Sequence, residues 1–467
     1  MARWAKAVLV LCVLWWVYLF FVTQIVVVFD STGYESAGRL IAQHGFAEFL
    51  REGPQREPMF ACLIALSMHL GHWWGISYYY PLKMIGILFL FLTMVFSYQL
   101  MKLLSIRPWL AALTLLYMGL SPVMTNSSMR LWSEFAAYPW VVLAVLWTIK
   151  SWKALEDAAP EGREDFKMVR HGALVALAFL LIMSVKAVAE GVILCYLWPF
   201  YGRIFSYWRQ KNFIKARQAA LFVLTALMIF EGAVVAYKWA NYHYNRQFTF
   251  TTRGDYAFYG NTARRMQPLT AKSLGAAVTF VAGGNLCPSL FGQEACDFWS
   301  ARHSDDIIGQ KQKELAQKKL TADEASRYYI KNSIQIILSN PLQALLLMVV
   351  EAHKMFFWES AIAFVAYPDW LEKIFYNPSF IALTKNVMAF LSWSAMLFGL
   401  IYLCRPRRQE EDRGQREALL WVVNFLFWYM GMYSLFFILD RYSFPLISLY
   451  LVLVAFMVQK TLKAFVK

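Results

Sequence analysis

Charged residues are scarce in this sequence. They make up 16% of its 467 residues, whereas soluble domains contain about 25%. Hydrophobic residues supply 59% and aromatic residues 17%, and the mean hydropathy is +0.43. Because so apolar a chain cannot present a polar surface to water, the composition excludes a soluble globular enzyme. Lipid is expected to cover most of the surface.

Cysteine is also rare, and its placement gives no support for a cysteine-based metal site. The six cysteines include no CxxC motif and no Cys/His spacing typical of a zinc site. Cys287 and Cys296 lie in a polar loop, and we predict a disulfide between them if that loop faces an oxidising compartment. The other four lie within or beside apolar segments, at Cys12, Cys62, Cys195 and Cys404.

Acidic residues are fewer than basic ones, 30 against 45, which gives a formal net charge of +15. In a soluble protein this excess would suggest a nucleic-acid partner. Here the cations cluster in short segments between apolar runs, which is typical of cytoplasmic loops. The sequence therefore predicts no nucleic-acid partner and two cytoplasmic termini. The clusters lie at 3–6, 102–107, 150–170, 203–217, 405–416 and 460–467.

Long apolar runs recur along the whole chain. A transmembrane helix needs roughly 20 apolar residues, and lipid offers the backbone no hydrogen bonds, so each run should be helical. The predicted fold is an all-α polytopic membrane protein with about ten transmembrane helices. No cleavage site follows the first run, so we interpret it as an anchor. The predicted spans lie near 7–29, 82–102, 109–128, 134–150, 171–185, 187–203, 218–239, 382–404, 418–438 and 443–459.

The first outer loop, residues 30–81, separates the first two predicted spans. It should contain juxtamembrane helices: one over 35–50, and a short apolar piece over 58–70 that lies along the membrane interface.

The large outer loop, residues 241–340, is the only region able to form a small, mostly helical lobe. Thr321 and Glu324 have the spacing of a capping box, which predicts a helix that ends before Pro341. The next segment, 341–358, is apolar but contains ionisable residues. We predict that it is interfacial or re-entrant, because a full crossing would move the C-terminus to the other side.

Five cations lie at predicted outer helix ends, where the positive-inside rule disfavours them: Lys83, Arg130, Lys186, Lys238 and Arg441. Snorkelling to lipid headgroups is the simple explanation, and we expect it for Lys83 and Lys238. Lys186 and Arg441 instead lie in tight turns between spans, where an anion would satisfy both. Lys186 could alternatively pair with Glu190, one helical turn further on.

Two carboxylates lie at the same predicted level. Asp30 follows the first span, and Glu134 opens the fourth. Each has a structural interpretation, since Glu134 could complement a helix dipole and Asp30 could cap the helix after it. Together with isolated cations, however, they suit an enzyme that binds an anionic substrate and uses a general base.

Six short motifs occur in order along the chain: Asp30-Ser-Thr-Gly-Tyr34, Arg56-Glu57-Pro58, Ser133-Glu134, Ile182-Met-Ser-Val-Lys186, 325–341 and Asp440-Arg441-Tyr442-Ser-Phe-Pro445. Their order and spacing resemble the GT-C superfamily of polytopic glycosyltransferases. The branch they resemble includes the dolichyl-phosphate-mannose protein mannosyltransferases and the bacterial lipid A aminoarabinose transferases. The resemblance covers most of the chain and implies a single GT-C-like transmembrane domain over residues 1–467.

The resemblance implies transfer of a sugar from a polyisoprenyl-phosphate donor to a glycan, lipid or protein acceptor, with inversion, on the periplasmic face of a bacterial inner membrane. It implies catalytic roles for Asp30 and Glu134. The implied donor-phosphate ligands are Lys186, Arg441 and Arg56, and the implied substrate-binding residues are Tyr34 and Tyr442.

No cofactor and no metal ligands are assigned from the resemblance. The family commonly has an acidic pair where this chain has Asp30 followed by Ser31, which weakens the case for a metal held by such a pair. A divalent metal otherwise stays open.

Two other functions remain open from the sequence. A transporter or flippase of a lipid-linked or anionic substrate could use Glu190 and Glu231, although no internal repeat typical of transporters is visible. An O-antigen ligase or polymerase would instead depend on arginines of the large outer loop. A requirement for Asp30 would distinguish a GT-C-like transferase from that enzyme, and neither the sugar nor the acceptor can be identified from the motifs.

Overall fold

The computed structural model describes residues 3–28, 30–157, 165–251, 254–264, 270–282, 286–358, 365–405, 413–436 and 440–465. The helices of the first half are α1 (Arg3–Val22), α2 (Asp30–His44), α3 (Phe46–Arg51), α4 (Pro58–Trp74), α5 (Tyr79–Leu103), α6 (Pro108–Leu120), α7 (Pro122–Ser128), α8 (Tyr138–Asp157), α9 (Asp165–Met183), α10 (Ala189–Tyr196), α11 (Trp198–Arg209) and α12 (Phe213–Asn245).

The second half of the chain contains shorter helices and then three long ones. They are α13 (Gly254–Arg264), α14 (Ala271–Phe280), α15 (Leu286–Phe291), α16 (Gln293–Asp297), α17 (Ala301–Gln317), α18 (Ala322–Ser339), α19 (Pro341–Lys354), α20 (Asp369–Phe375), α21 (Pro378–Cys404), α22 (Arg413–Tyr433) and α23 (Ile447–Phe465). Short 3-10 helices precede α8 and α23, at Glu134–Ala137 and Asp440–Leu446. Strands β1 (Gln24–Ile25) and β2 (Val365–Ala366) form an antiparallel pair.

The predicted all-α polytopic membrane fold is confirmed. Within the described ranges, seven helices are long and apolar enough to cross a membrane, or up to nine if each of two bent pairs counts as one span. The bent pairs are α6 with α7 and α18 with α19. The protein is therefore an integral, multi-pass membrane protein.

The predicted number of about ten spans is higher than the seven to nine found in the described residues. Helices lie in all ten predicted segments, but those over 187–203 and 418–438 are not among the helices long and apolar enough to cross, and two of the segments are interrupted. The run over 109–128 is bent by 53° between α6 and α7, and the run over 187–203 is divided between α10 and α11. Pro122 and Pro199 each lie in the first turn of the second helix. Proline has no N–H to donate to the preceding turn, so the earlier helix ends there.

The predicted single helix over 35–50 is wrong in two respects. Helix α2 begins earlier, at Asp30, and the chain breaks at Gly45 before α3. Gly45 has a φ of +85°, a conformation that glycine adopts without steric cost and that ends the helix. The apolar piece over 58–70 continues to Trp74 as α4, with Pro58 in its first turn.

Helices α13 to α18 form a lobe, called the helical lobe below. The predicted capping box is confirmed, because the Thr321 hydroxyl accepts from the Glu324 N–H while the Glu324 carboxylate accepts from the Thr321 N–H. Helix α18 ends at Ser339, and α19 follows at a bend of 106°. A bend of this size fits either a broken span or a re-entrant segment.

A disulfide joins Cys287 to Cys296 in the helical lobe, with their Cα atoms 6.0 Å apart. Both cysteines are buried against Trp299 and neighbouring apolar side chains. We expect thiol titration of the unfolded, unreduced protein to count four free cysteines, and six after reduction. The four would be those the structure shows as free thiols. A count of six before reduction would contradict the disulfide and the oxidising location of the lobe.

The prediction that Lys83 snorkels to lipid headgroups is wrong. Its side chain is buried, and Nζ donates to the carbonyl oxygens of Phe20 at 3.0 Å and Thr23 at 2.5 Å. An ammonium group at the C-terminal end of α1 satisfies carbonyls that have no helical partner and complements the helix dipole. Lys238 forms an ion pair with Glu190 at 2.5 Å.

Candidate active site

The site begins at the turn that joins α1 to α2. The Ser31 hydroxyl donates to the Val28 carbonyl at 2.6 Å and accepts from the Val28 N–H at 2.7 Å. These two bonds fix the chain where α2 starts, and Asp30 is the first residue of that helix. The position of the Asp30 carboxylate is therefore set by the local turn.

Two arginines engage the Asp30 carboxylate. Arg56 Nη2 lies 2.6 Å from Asp30 Oδ1, and Arg441 Nη2 donates to Oδ2. Burial alone would raise the pKa of Asp30, but the two guanidinium groups outweigh burial and hold that pKa well below its usual range. Asp30 is therefore ionised, and in this arrangement it is a weak base.

Lys186 and Glu134 form a second, more deeply buried ion pair. Lys186 Nζ lies 3.0 Å from Glu134 Oε1, and the two side chains are only 6% and 4% exposed. Arg441 Nε lies 3.8 Å from the same oxygen. Burial lowers the pKa of Lys186, but Glu134 reverses the shift and raises that pKa above its usual value. The alternative pairing of Lys186 with Glu190 is wrong.

Tyr34 and Tyr442 stand beside these ion pairs. The Tyr34 hydroxyl is 3.0 Å from Ser133 Oγ, and the Arg56 guanidinium lies 4.8 Å from the centre of the Tyr34 ring. Lys186 Nζ is 5.4 Å from the centre of the Tyr442 ring. The π face of each ring attracts the neighbouring cation, and this attraction helps to hold the cation in place at a site with little water.

These side chains enclose a cavity of about 210 Å³. Six of the seven residues predicted to bind substrate or take part in catalysis line it, namely Tyr34, Arg56, Glu134, Lys186, Arg441 and Tyr442. Asp30 adjoins the cavity through its bonds to Arg56 and Arg441. Residues far apart in the sequence therefore converge on one site, called the first cavity below.

Several residues of the site were not singled out from the sequence, and Glu57 and Trp132 carry the most polar or electrostatic contacts among them. Glu57 lines the first cavity, and its carboxylate accepts from the Ala187 N–H at 3.3 Å, which ties the turn containing Lys186 to α4. The centre of the Trp132 ring lies 3.7 Å from the guanidinium carbon of Arg130 and 4.8 Å from that of Arg441. The sequence offered one indication of Trp132, because this residue lies two positions after Arg130, a cation in a position that the positive-inside rule disfavours. Glu57 appeared only as the middle residue of the Arg56-Glu57-Pro58 motif.

Among the described residues around the first cavity, cations outnumber carboxylates. Arg56, Lys186 and Arg441 line it, and the buried Arg130 adds a fourth positive charge nearby. The nearby carboxylates are those of Asp30, Glu57 and Glu134. Such a site can bind an anion and can offer a carboxylate to a reacting hydroxyl. Within the described part of the chain, no three His, Cys, Asp or Glu side chains cluster closely enough to hold a metal ion.

Comparison with known sequences gives no match, either to a family model or to a curated protein. The structure is similar to that of the archaeal oligosaccharyltransferase AglB from Archaeoglobus fulgidus, solved in complex with an inhibitory peptide and a dolichol-phosphate. The TM-score is 0.51 at 10% sequence identity, over 99% of this chain. The chain spans about half, 51%, of the length of that protein. The fold predicted from the short motifs is confirmed: this chain has the GT-C fold of polytopic membrane glycosyltransferases.

Proposed function

We propose that the protein transfers a sugar from a polyprenyl-phosphate donor to an acceptor hydroxyl, with inversion at the anomeric carbon. The observation that carries this proposal is the convergence of Lys186, Arg441 and Arg56 on one cavity beside two carboxylates. The similar oligosaccharyltransferase was solved with a dolichol-phosphate, which supports a lipid-linked donor here.

The three cations are the proposed ligands of the donor phosphate. Ionised hydrogen bonds to phosphate are short and strong, and an arginine can make two of them at once. In the structure, Arg441 is bonded to Asp30, and Lys186 is bonded to Glu134. The two carboxylates thus hold the cations in position. Oxygens of the donor phosphate would take the place of these carboxylates as partners of the cations.

Asp30 is the proposed general base. Its side chain is 23% exposed, against 4% for Glu134, so an acceptor hydroxyl can approach it more readily. The acceptor oxygen forms a bond to the anomeric carbon while the bond from that carbon to the phosphate oxygen breaks. The hydroxyl proton goes to Asp30, and the polyprenyl phosphate leaves as an anion held by the cations.

Binding of the donor also makes Asp30 a better base. When Arg441 turns from Asp30 to the phosphate, the carboxylate loses one of the two guanidinium groups that depress its pKa. Glu134 keeps Lys186 and Arg441 near the phosphate and is the second candidate for the base.

The site is proposed to face the periplasm of a bacterial inner membrane, with both termini in the cytoplasm. The distribution of Lys and Arg between the predicted loops supports this orientation. The acceptor would be a glycan, a lipid or a protein on that face. Mass spectrometry of lipid-linked sugars and surface glycans from cells lacking the protein would identify which sugar accumulates on its donor and which glycan loses it.

A double-mutant cycle tests the shared phosphate site. Lys186→Ala and Arg441→Ala should each weaken binding of undecaprenyl phosphate by about 10- to 100-fold, since a hydrogen bond to a charged group is worth about 1.5–3 kcal/mol. Because both contact one phosphate, the double variant should lose less than the product of the single effects. Affinity is measured on the full-length protein in nanodiscs.

Lys238→Ala is the matched control for this cycle, because Lys238 also pairs with a glutamate but lies away from the first cavity. It should bind undecaprenyl phosphate like the wild type. Multiplicative losses for Lys186 and Arg441 would instead indicate two unrelated lipid contacts and would count against the proposed donor site.

A further inference from the structure

A second cavity lies in the helical lobe. It encloses about 320 Å³, within the range of roughly 300–1,000 Å³ that is usual for small-molecule sites. Its walls come from α13, α17, α18 and the segment 247–249 that follows α12. None of the residues that line it lines the first cavity.

Helix α13 is the wall that the two cavities share. Gly254 and Ala257, which are three residues apart, line the first cavity, whereas Asp255 and Tyr256 line the second. Residues three apart lie on one face of a helix and their neighbours point elsewhere. The two cavities are therefore separated by one helix, about 10–12 Å across with its side chains.

The second cavity has a different chemistry from the first. Among the described residues that line it, Asp255 alone is charged, and its carboxylate accepts from the Ser326 hydroxyl. Gln247 and Gln312 add side-chain amides, which both donate and accept hydrogen bonds. The described part of its wall thus presents a carboxylate and amides, which suit hydroxyl groups better than a phosphate.

Aromatic rings complete the wall of the second cavity. Tyr256 is half-buried, and Tyr329 is buried with its ring 5.3 Å from that of Tyr259. An aromatic face combines an apolar surface with a polar edge, which matches the alternating C–H and hydroxyl groups of a sugar ring. A peptide would be expected to use an exposed strand edge or an apolar groove, and α13, α17 and α18 offer no strand here.

We propose that the second cavity binds the acceptor, and that the acceptor is a neutral saccharide. This inference rests on the proposed function, because it places the acceptor beside the site where the donor reacts. Hydroxyl groups of the saccharide donate to Asp255 and accept from Gln247 and Gln312, and a sugar ring packs on Tyr256. A saccharide of several residues then reaches past α13 to present one hydroxyl to Asp30.

Saturation-transfer NMR on the full-length protein in nanodiscs tests the inference with a panel of neutral trisaccharides that includes chitotriose and maltotriose. At least one should bind, and Tyr256→Ala and Gln312→Ala should each weaken that binding by about 10-fold or more. Gln310→Ala is the matched control, because Gln310 is an exposed glutamine two residues away on α17 that does not line the cavity. Melting temperatures confirm that the variants fold.

Three results would overturn the inference: no trisaccharide binds, the Tyr256 and Gln312 variants bind as the control does, or an acceptor peptide competes for the cavity. Each leaves the proposed function in place if undecaprenyl phosphate still binds at Arg441. Conversely, Arg441→Ala should weaken phosphate binding by about 10- to 100-fold and leave trisaccharide binding unchanged. If undecaprenyl phosphate fails to bind while a trisaccharide still binds, the result counts against the proposed function and not against the second cavity.

Discussion

Asp30→Asn is expected to lower the rate of sugar transfer by about 10²–10⁴-fold, the usual contribution of a general base. The amide keeps the size of the carboxylate but cannot accept the acceptor's proton. Affinity for undecaprenyl phosphate should stay within a few-fold of wild type, because Lys186 and Arg441 remain. Transfer is measured as single-turnover kinetics with donor bound, so that chemistry is separated from donor binding.

Glu35→Gln is the control for this experiment, since Glu35 lies on the same helix and pairs with Arg39 and Tyr78 outside the first cavity. It should transfer sugar at the wild-type rate. Asp30→Asn also weakens two ion pairs, so its melting temperature must be compared as well. If folded Asp30→Asn protein transfers sugar at a nearly normal rate, Asp30 is not the base and Glu134 takes its place in the proposal.

Lys186→Met is expected to lower the free energy of unfolding by about 3 kcal/mol and to weaken donor binding by about 10- to 100-fold. Removing one member of a buried ion pair typically costs about 3–5 kcal/mol, because the other charge is left buried without its partner. We expect the lower end of that range, since Arg441 Nε stays 3.8 Å from Glu134. Unfolding is followed by thermal denaturation in one fixed detergent.

The double variant Lys186→Met/Glu134→Gln separates stability from binding. It removes both charges together, so its stability should return to near the wild-type value, yet its affinity for undecaprenyl phosphate should stay about 10- to 100-fold below that of the wild type. Recovery of donor binding along with stability would show that Lys186 supports the fold of the site and does not contact the phosphate.

The helices could be predicted well from the sequence because the backbone in a bilayer must form its hydrogen bonds within the chain. An apolar run of about 20 residues must be helical in lipid whatever it packs against. The breaks at Pro122 and Pro199 depended on single residues inside such runs. Gly45 similarly divided a predicted helix, because a positive φ is a local property that periodicity does not report.

The site was partly predictable for an electrostatic reason. Lys186 and Arg441 were predicted as site residues because the positive-inside rule disfavours cations at outer helix ends. Their partners could not be predicted, since Glu134 is 52 residues from Lys186, and Asp30 is 411 residues from Arg441. The packing of distant helix ends decides these pairs. The residues of the second cavity, such as Gln312 and Asp255, look like ordinary surface positions in the sequence.

The burial of Lys83 has a consequence for how the protein is made. Lys83 lies 60 residues after Thr23, whose carbonyl it caps, so α1 is synthesised and inserted well before α5 can reach it. Until then the last carbonyls of α1 depend on water or lipid headgroups. When α5 enters the bilayer with its positive charge, α1 provides the site that takes up that charge. The contacts of Lys83 with the Phe20 and Thr23 carbonyls therefore couple the packing of α1 to that of α5.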